Sequence, residues 1–228
     1  MVGILFDAGD TLARPKSGHW FIPPRFWEIL SRHGTVSPSR ESLLTALKDA
    51  MPFLDANHSI QTEKEEFGQF IEYYDIVLRT LSISDATSKI AQDLSHDMVY
   101  NDDKFVFFSD TLDSIERLFQ KGYRLGILSN TWPSLRRVFA NAGLLSYFEI
   151  FVVSAEVGCY KPAAQIYRHA VEQIELPVED IIFIDDLVAN LQPAGAMGIR
   201  TILISRYGPC TRDGIECVND LEELIKLV

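Results

Sequence analysis

Four polar groups, widely separated along the chain, have the residue types to act on a charged substrate. The first is Asp7-Ala8-Gly9-Asp10-Thr11, which follows the apolar run Val2–Phe6. The others are Ser129-Asn130, Lys161-Pro162 and Asp185-Asp186, each at or beyond the end of another apolar run. Carboxylates gathered at one place repel one another unless a lysine or a divalent cation neutralises them. Aspartates together with a backbone carbonyl make an all-oxygen set. Such a set suits Mg2+, an ion that keeps waters and binds substrate phosphate. Ser129 and Asn130 offer neutral hydrogen-bond donors to a phosphoryl oxygen, and Lys161 offers a fixed positive charge.

Each group also admits a plainer role. Asp7 could be the turn aspartate common after strands. Asp185-Asp186 could cap the helical pattern that follows at once, which is compatible with metal binding, and Ser129 could cap a helix starting near Pro133. Lys161 could be a solvated surface lysine, although Pro162 and a preceding glycine favour a fixed loop.

The apolar runs decide whether these groups can meet. Val2–Phe6, Arg124–Leu128, Ile150–Val153, Ile181–Ile184 and Thr201–Ile204 are nearly continuous rather than alternating. That pattern predicts strands buried on both faces of a parallel sheet. Helical stripes separate the later runs, over Asp110–Lys121, Ala163–Glu175 and Leu187–Met197. Strand–helix alternation of this length predicts right-handed crossovers and an α/β, doubly wound parallel (Rossmann-like) sheet. In such a sheet ligands sit beyond the carboxyl ends of the strands. Asp7, Ser129, Asn130, Lys161, Asp185 and Asp186 are therefore expected to converge.

Between about Arg14 and Tyr100 the pattern is purely helical. Stripes are carried by Phe26, Ile29 and Leu30; by Leu43, Leu44, Leu47 and Met51; by Phe67 through Leu81; and by Ile90, Leu94 and Met98. This predicts an inserted α-helical cap over 14–99 and a catalytic core formed by 1–13 and 100–228. Glu63-Lys64-Glu65-Glu66 reads as a solvated face of the third stripe. His33, His58, His96 and His169 are scattered and read as exposed. The aromatic stretch His19–Trp27 should largely pack the cap, with His19, Trp20 and Arg25 as candidates to face substrate.

The formal net charge is −11, which argues against a nucleic-acid partner and requires a local cation for any anionic substrate. The three cysteines, Cys159, Cys210 and Cys217, lack CxxC spacing and read as reduced thiols of a cytoplasmic protein. No basic leader precedes the first run and no apolar segment is long enough to span a bilayer, so no membrane partner is expected. A monomer or homodimer is equally compatible with the sequence.

Taken in order, "ILFDAGDTL", "GYRLGILSNT", "GCYKP" and "DIIFIDDLVANLQPAGAMGIRTILI" resemble the haloacid dehalogenase-like superfamily. The likeness is to its Mg2+-dependent phosphatase branch with a helical cap, and the last segment is similar to the phosphatase domain of soluble epoxide hydrolases. The resemblance implies that Asp7 attacks phosphorus of a small phosphorylated substrate and forms an aspartyl-phosphate. It implies that Ser129 and Asn130 hold the transferred group and that Lys161 bridges nucleophile and phosphate. Asp7, Asp186 and the Gly9 carbonyl would hold Mg2+, with Asp185 and Asn190 behind them, and the Thr11 hydrogen bond would fix the loop. One departure stands out. The branch places an acid/base Asp two residues after the nucleophile, whereas here Gly9 holds that position and Asp10 follows. Proton donation to an alkoxide contributes roughly 10²–10⁴-fold. Its loss leaves good leaving groups favoured, unless Asp10 turns inward as a displaced acid. Two alternatives stay open: a catalytically impaired member that binds a phospho-ligand, and a 2-haloacid dehalogenase.

Overall fold

The computed structural model describes residues 1–83, 87–210 and 214–228. In chain order the strands are β1 (Gly3–Phe6), β2 (Ala13–Pro15), β3 (Phe105–Phe107), β4 (Arg124–Ser129), β5 (Phe148–Val153), β6 (Ile181–Asp185), β7 (Arg200–Ile204) and β8 (Cys217–Val218). The helices are α1 (Phe26–Arg32), α2 (Arg40–Ala56), α3 (Glu63–Thr80), α4 (Thr87–Tyr100), α5 (Thr111–Gln120), α6 (Leu135–Asn141), α7 (Ser154–Val157), α8 (Ala164–Ile174), α9 (Val188–Ala196) and α10 (Leu221–Leu227). The chain divides into two units, Met1–Arg14 with Val106–Val228, and Pro15–Phe105.

The first unit is a doubly wound α/β sheet of six strands in the order β5-β4-β1-β6-β7-β8, every neighbouring pair parallel. Every residue of β1 and β6 is buried, as the unbroken apolar runs require for strands covered on both faces. One face packs on α8 and α9, where Leu5, Phe183, Ile166, Tyr167, Ile174 and Leu191 form a single cluster. The order reverses at β1, with β4 on one side and β6 on the other. The carboxyl ends of these three central strands therefore line the crevice of the switch point. Strand β8 has only two residues, too few to give a readable apolar run.

The second unit is helical among its described residues and contains α1 to α4. Helix α3 starts at a capping box in which Thr62 and Glu65 satisfy each other's backbone donors. Helix α2 is capped by Ser39, whose side chain accepts from the Ser42 amide. Its buried stripe is Leu43, Ala46, Leu47, Ala50 and Leu54; Leu44, expected inside, is exposed.

Three readings of the sequence are corrected here. Glu66 is 1% exposed rather than solvated, and the charge of buried Lys104 explains how a carboxylate is accommodated: Glu66 acts on that ammonium. His58 is buried, and its burial pushes the imidazole down to about 4. Cys210 and Cys217 are joined as a disulfide with Cα atoms 5.8 Å apart, linking the segment after β7 to β8, so only Cys159 is a free thiol. A separation of seven residues was legible, but not that β7 and β8 would pair side by side and bring the two together.

Candidate active site

Strands β1 and β6 run in register with Phe6 beside Ile184, and the Asp7 amide donates to the Ile184 carbonyl at 2.8 Å. Asp7 and Asp185 thus leave the sheet side by side. Between them stands Lys161, whose Nζ lies 2.7 Å from Asp7 Oδ1 and 2.6 Å from Asp185 Oδ2. Lys161 is 3% exposed, so it is not a surface lysine. Its ammonium also lies 5.3 Å from the centroid of the Phe183 ring.

The neighbours fix this triad. Asn190 donates from Nδ2 to both oxygens of Asp185 at 3.0 Å, and the Leu187 amide donates to Asp185 Oδ1 at 2.8 Å. The Asn190 carbonyl in turn accepts from Tyr167 at 2.8 Å. Asn130 braces Lys161 with both ends of its amide: Nδ2 donates to the Lys161 carbonyl at 3.0 Å, and Oδ1 accepts from the Lys161 amide at 2.7 Å. That bracing role was not read from the sequence, which treated Asn130 as a donor to substrate. Ser129 is buried at the end of β4 and donates a hydrogen bond that favours ionised Asp7. Helix α6 has Ser134 at its N-cap, so Ser129 is not spent as a cap there.

Burial dominates the electrostatics. It raises Asp7 to about 6, against the opposing attraction of Lys161, while Asp185 adds to the rise. At Lys161 burial pulls downward, but its interactions with Asp7 and Asp185 outweigh it and hold the ammonium above its usual value. Asp186, at the rim, is pushed up to about 7 by burial and then by Asp7, Asp185 and Asp10. One ammonium thus faces more carboxylates than it can neutralise.

The loop after β1 is held differently from the expectation. Thr11 is fully buried, yet its Oγ1 makes no hydrogen bond among the described residues. The Thr11 carbonyl carries the contact instead, accepting from Arg206 Nε at 3.0 Å and Nη2 at 2.7 Å. Arg206 also donates from Nη1 to Asp110 at 2.7 Å, and its guanidinium lies 4.4 Å from the Phe108 ring centroid. Next to it, Tyr207 donates its hydroxyl to Asp10 Oδ1 at 2.7 Å. Asp10, Asp186 and the segment Leu203–Cys210 line a cavity of about 290 Å³. Arg206 and Tyr207 were missed by the sequence reading, although the rule that found the other groups, polar residues just past a strand end, applies equally after Ile204.

The donor set fits a hard divalent cation. No three His, Cys, Asp or Glu side chains form a ready metal cluster among the described residues. Mg2+ does not need one, because it keeps waters and takes one or two carboxylates. Asp7 raises the affinity of Asp186 for a proton, and these are the two carboxylates that could hold such an ion.

A family model described as haloacid dehalogenase-like hydrolase matches residues 1–198. The chain belongs to that family. Among relatives, rat bifunctional epoxide hydrolase 2 is 30% identical over 118 residues, which is 50% of this chain but only 20% of the rat protein. The glyceraldehyde 3-phosphate phosphatase of Methanopyrus kandleri is 24% identical over 213 residues, 89% of this chain and 83% of that one. The family's fold recurs in the 2-haloacid dehalogenase of Pseudomonas syringae pv. Tomato DC3000, with a TM-score of 0.71, 18% identity and coverage of 100% of this chain and 98% of that chain. The proteins this chain resembles in sequence or in fold are thus named for both phosphate and carbon–halogen chemistry. No helix among the described residues is long and apolar enough to cross a membrane.

Proposed function

We propose that this hydrolase is a Mg2+-dependent phosphatase of a small phosphorylated metabolite, working through an aspartyl-phosphate on Asp7. The observation that carries the reading is the carboxylate excess at the switch point, where Asp186 shares a crevice with Asp7 and Asp185 and Lys161 is the paired ammonium. An Asp7 oxygen attacks phosphorus as the bond to the leaving-group oxygen breaks. Water then attacks the phosphorus of the aspartyl-phosphate, releasing phosphate and regenerating the carboxylate. Lys161 holds Asp7 and offsets charge on the phosphoryl oxygens, and Ser129 donates to one of them. When bound, Mg2+ supplies the remaining positive charge; Asp7, Asp186 and the Gly9 carbonyl would hold it, with Asp185 and Asn190 behind. Gly9 provides no acid, so acyl, aryl and pyrophosphate leaving groups are favoured over alkoxides.

A dehalogenase is the second reading, supported by Gly9, since carbon–halogen cleavage needs no acid at that position. Against it, a 2-haloacid is an anion, and the crowded carboxylates repel it unless a cation intervenes. Hydrolysis of p-nitrophenyl phosphate, acetyl phosphate and 2-chloropropionate, each with Mg2+ and with EDTA, separates the two. Phosphate release that is abolished by EDTA and by Asp7→Asn is expected. Chloride release that persists in EDTA would favour the dehalogenase, and no turnover of any substrate would favour the impaired, phospho-ligand-binding member.

A further inference from the structure

We propose that Asp10, held in place by Tyr207, serves as an outer carboxylate of the cation site rather than as a displaced proton donor. The inference rests on the Mg2+ reading above and extends it to residues outside the catalytic triad of side chains.

Three observations carry it. Asp10 has φ of 49°, a left-handed conformation that few side-chain-bearing residues adopt, so its carboxylate is directed by an unusual backbone. The loop is fixed in that state at successive positions, because Arg206 grips the Thr11 carbonyl and Tyr207 grips Asp10. Both gripping residues come from one dipeptide, separated from the end of β7 only by Ser205. Finally, Asp10 and Asp186 line the same cavity of about 290 Å³.

Tyr207 donates and Asp10 Oδ1 accepts, an arrangement that suits an ionised carboxylate beside the cavity that Asp186 also lines. Fixed by that bond and lining the same cavity as Asp186, Asp10 is placed to act on the cation site from outside it, and outer partners of that kind typically change metal affinity about 10–100-fold. Tyr207 is then a positioning residue acting through Asp10.

Calorimetric titration of the full chain with MgCl2 tests this without any turnover. Asp10→Asn should weaken binding about tenfold or more, since it keeps the shape and removes the charge. Tyr207→Phe should weaken it in the same direction, and should add nothing in an Asp10→Asn background. Affinity within about twofold of the parent for Asp10→Asn would overturn the proposal. So would a Tyr207→Phe loss that is as large with Asp10→Asn as without it. If the folded parent takes up no Mg2+, the metal reading falls and this inference with it; if the parent binds and Asp10→Asn binds equally, this inference alone falls.

Discussion

Lys161 Nζ stands between two buried aspartates, 2.7 Å from Asp7 Oδ1 and 2.6 Å from Asp185 Oδ2, and is the only ammonium hydrogen-bonded to either among the described residues. One cation cannot offset two buried carboxylates and the third at Asp186. A site built in this way is expected to be destabilising by itself and stabilised by its ligand. Asp7→Asn removes one of the charges. Asp7 is raised to about 6 in the folded protein from 3.8, so its ionised form opposes folding: the cost is absent below about pH 4 and complete above about pH 6. In EDTA, the stability of Asp7→Asn relative to the parent should therefore rise with pH across that window, by at most about 3 kcal/mol. Urea unfolding of both proteins at pH 4.5 and pH 8 measures it. A difference that does not change with pH would contradict the assignment, whatever the variant's loss of turnover.

Gly9 invites the reverse experiment, adding a group instead of removing one. Its backbone is not among the positive-φ glycines, so a side chain at this position would not carry the left-handed strain of Asp10. Gly9→Asp would put a carboxyl two residues after Asp7, where it can protonate a departing alkoxide. The expected result is a rise in kcat/KM of about 10²-fold for an alkyl phosphate, with little change for p-nitrophenyl phosphate, whose leaving group needs no proton. Equal changes for both substrates would show that leaving-group protonation is not what position 9 controls.

The core was legible because parallel strands buried on both faces are written as unbroken apolar runs, and the polar residues at their ends mark one crevice. What escaped the sequence had no such periodic signature. Arg206 acts through a backbone carbonyl 195 positions away, and Asn130 through the backbone of Lys161, so neither partner is a residue type that a motif could record. Glu66 sits in a run of charges that looks solvated, and the chain's return at Lys104 brings a buried countercharge that the run itself does not record. The Cys210–Cys217 pairing depended on β8, whose two residues are below what hydrophobic patterning can detect.

Gly126 tests the packing behind the site. It lies within β4, next to β1, and a Cβ there would stand 2.5 Å from Ile150 Cγ1 and 2.7 Å from Leu5 Cδ2. Both neighbours belong to the cluster beneath α8, so neither can retreat into solvent. Gly126→Ala should cost about 1–3 kcal/mol through overpacking. The loss would appear as a lower midpoint in urea at unchanged m-value. A variant as stable as the parent would mean that the strand shifts to make room, and turnover should then change with it.

His58 gives the helical unit an acid sensitivity independent of the carboxylates. Its imidazole is lowered from 6.5 to about 4 by burial, so the unfolded chain takes up a proton that the folded chain resists. For a group depressed on folding, the contribution is fully present above the unfolded value and is lost as pH falls toward the folded one. Between pH 7 and pH 5 the protein should lose about 2 kcal/mol of stability from this residue alone. His58→Gln should lose correspondingly less over the same interval, because Gln does not titrate, even if it starts from a lower stability at pH 7. Parallel unfolding curves for parent and variant at pH 5, 6 and 7 decide the point. If the two lose stability equally on acidification, burial of a neutral His58 is not what makes the helical unit sensitive to acid.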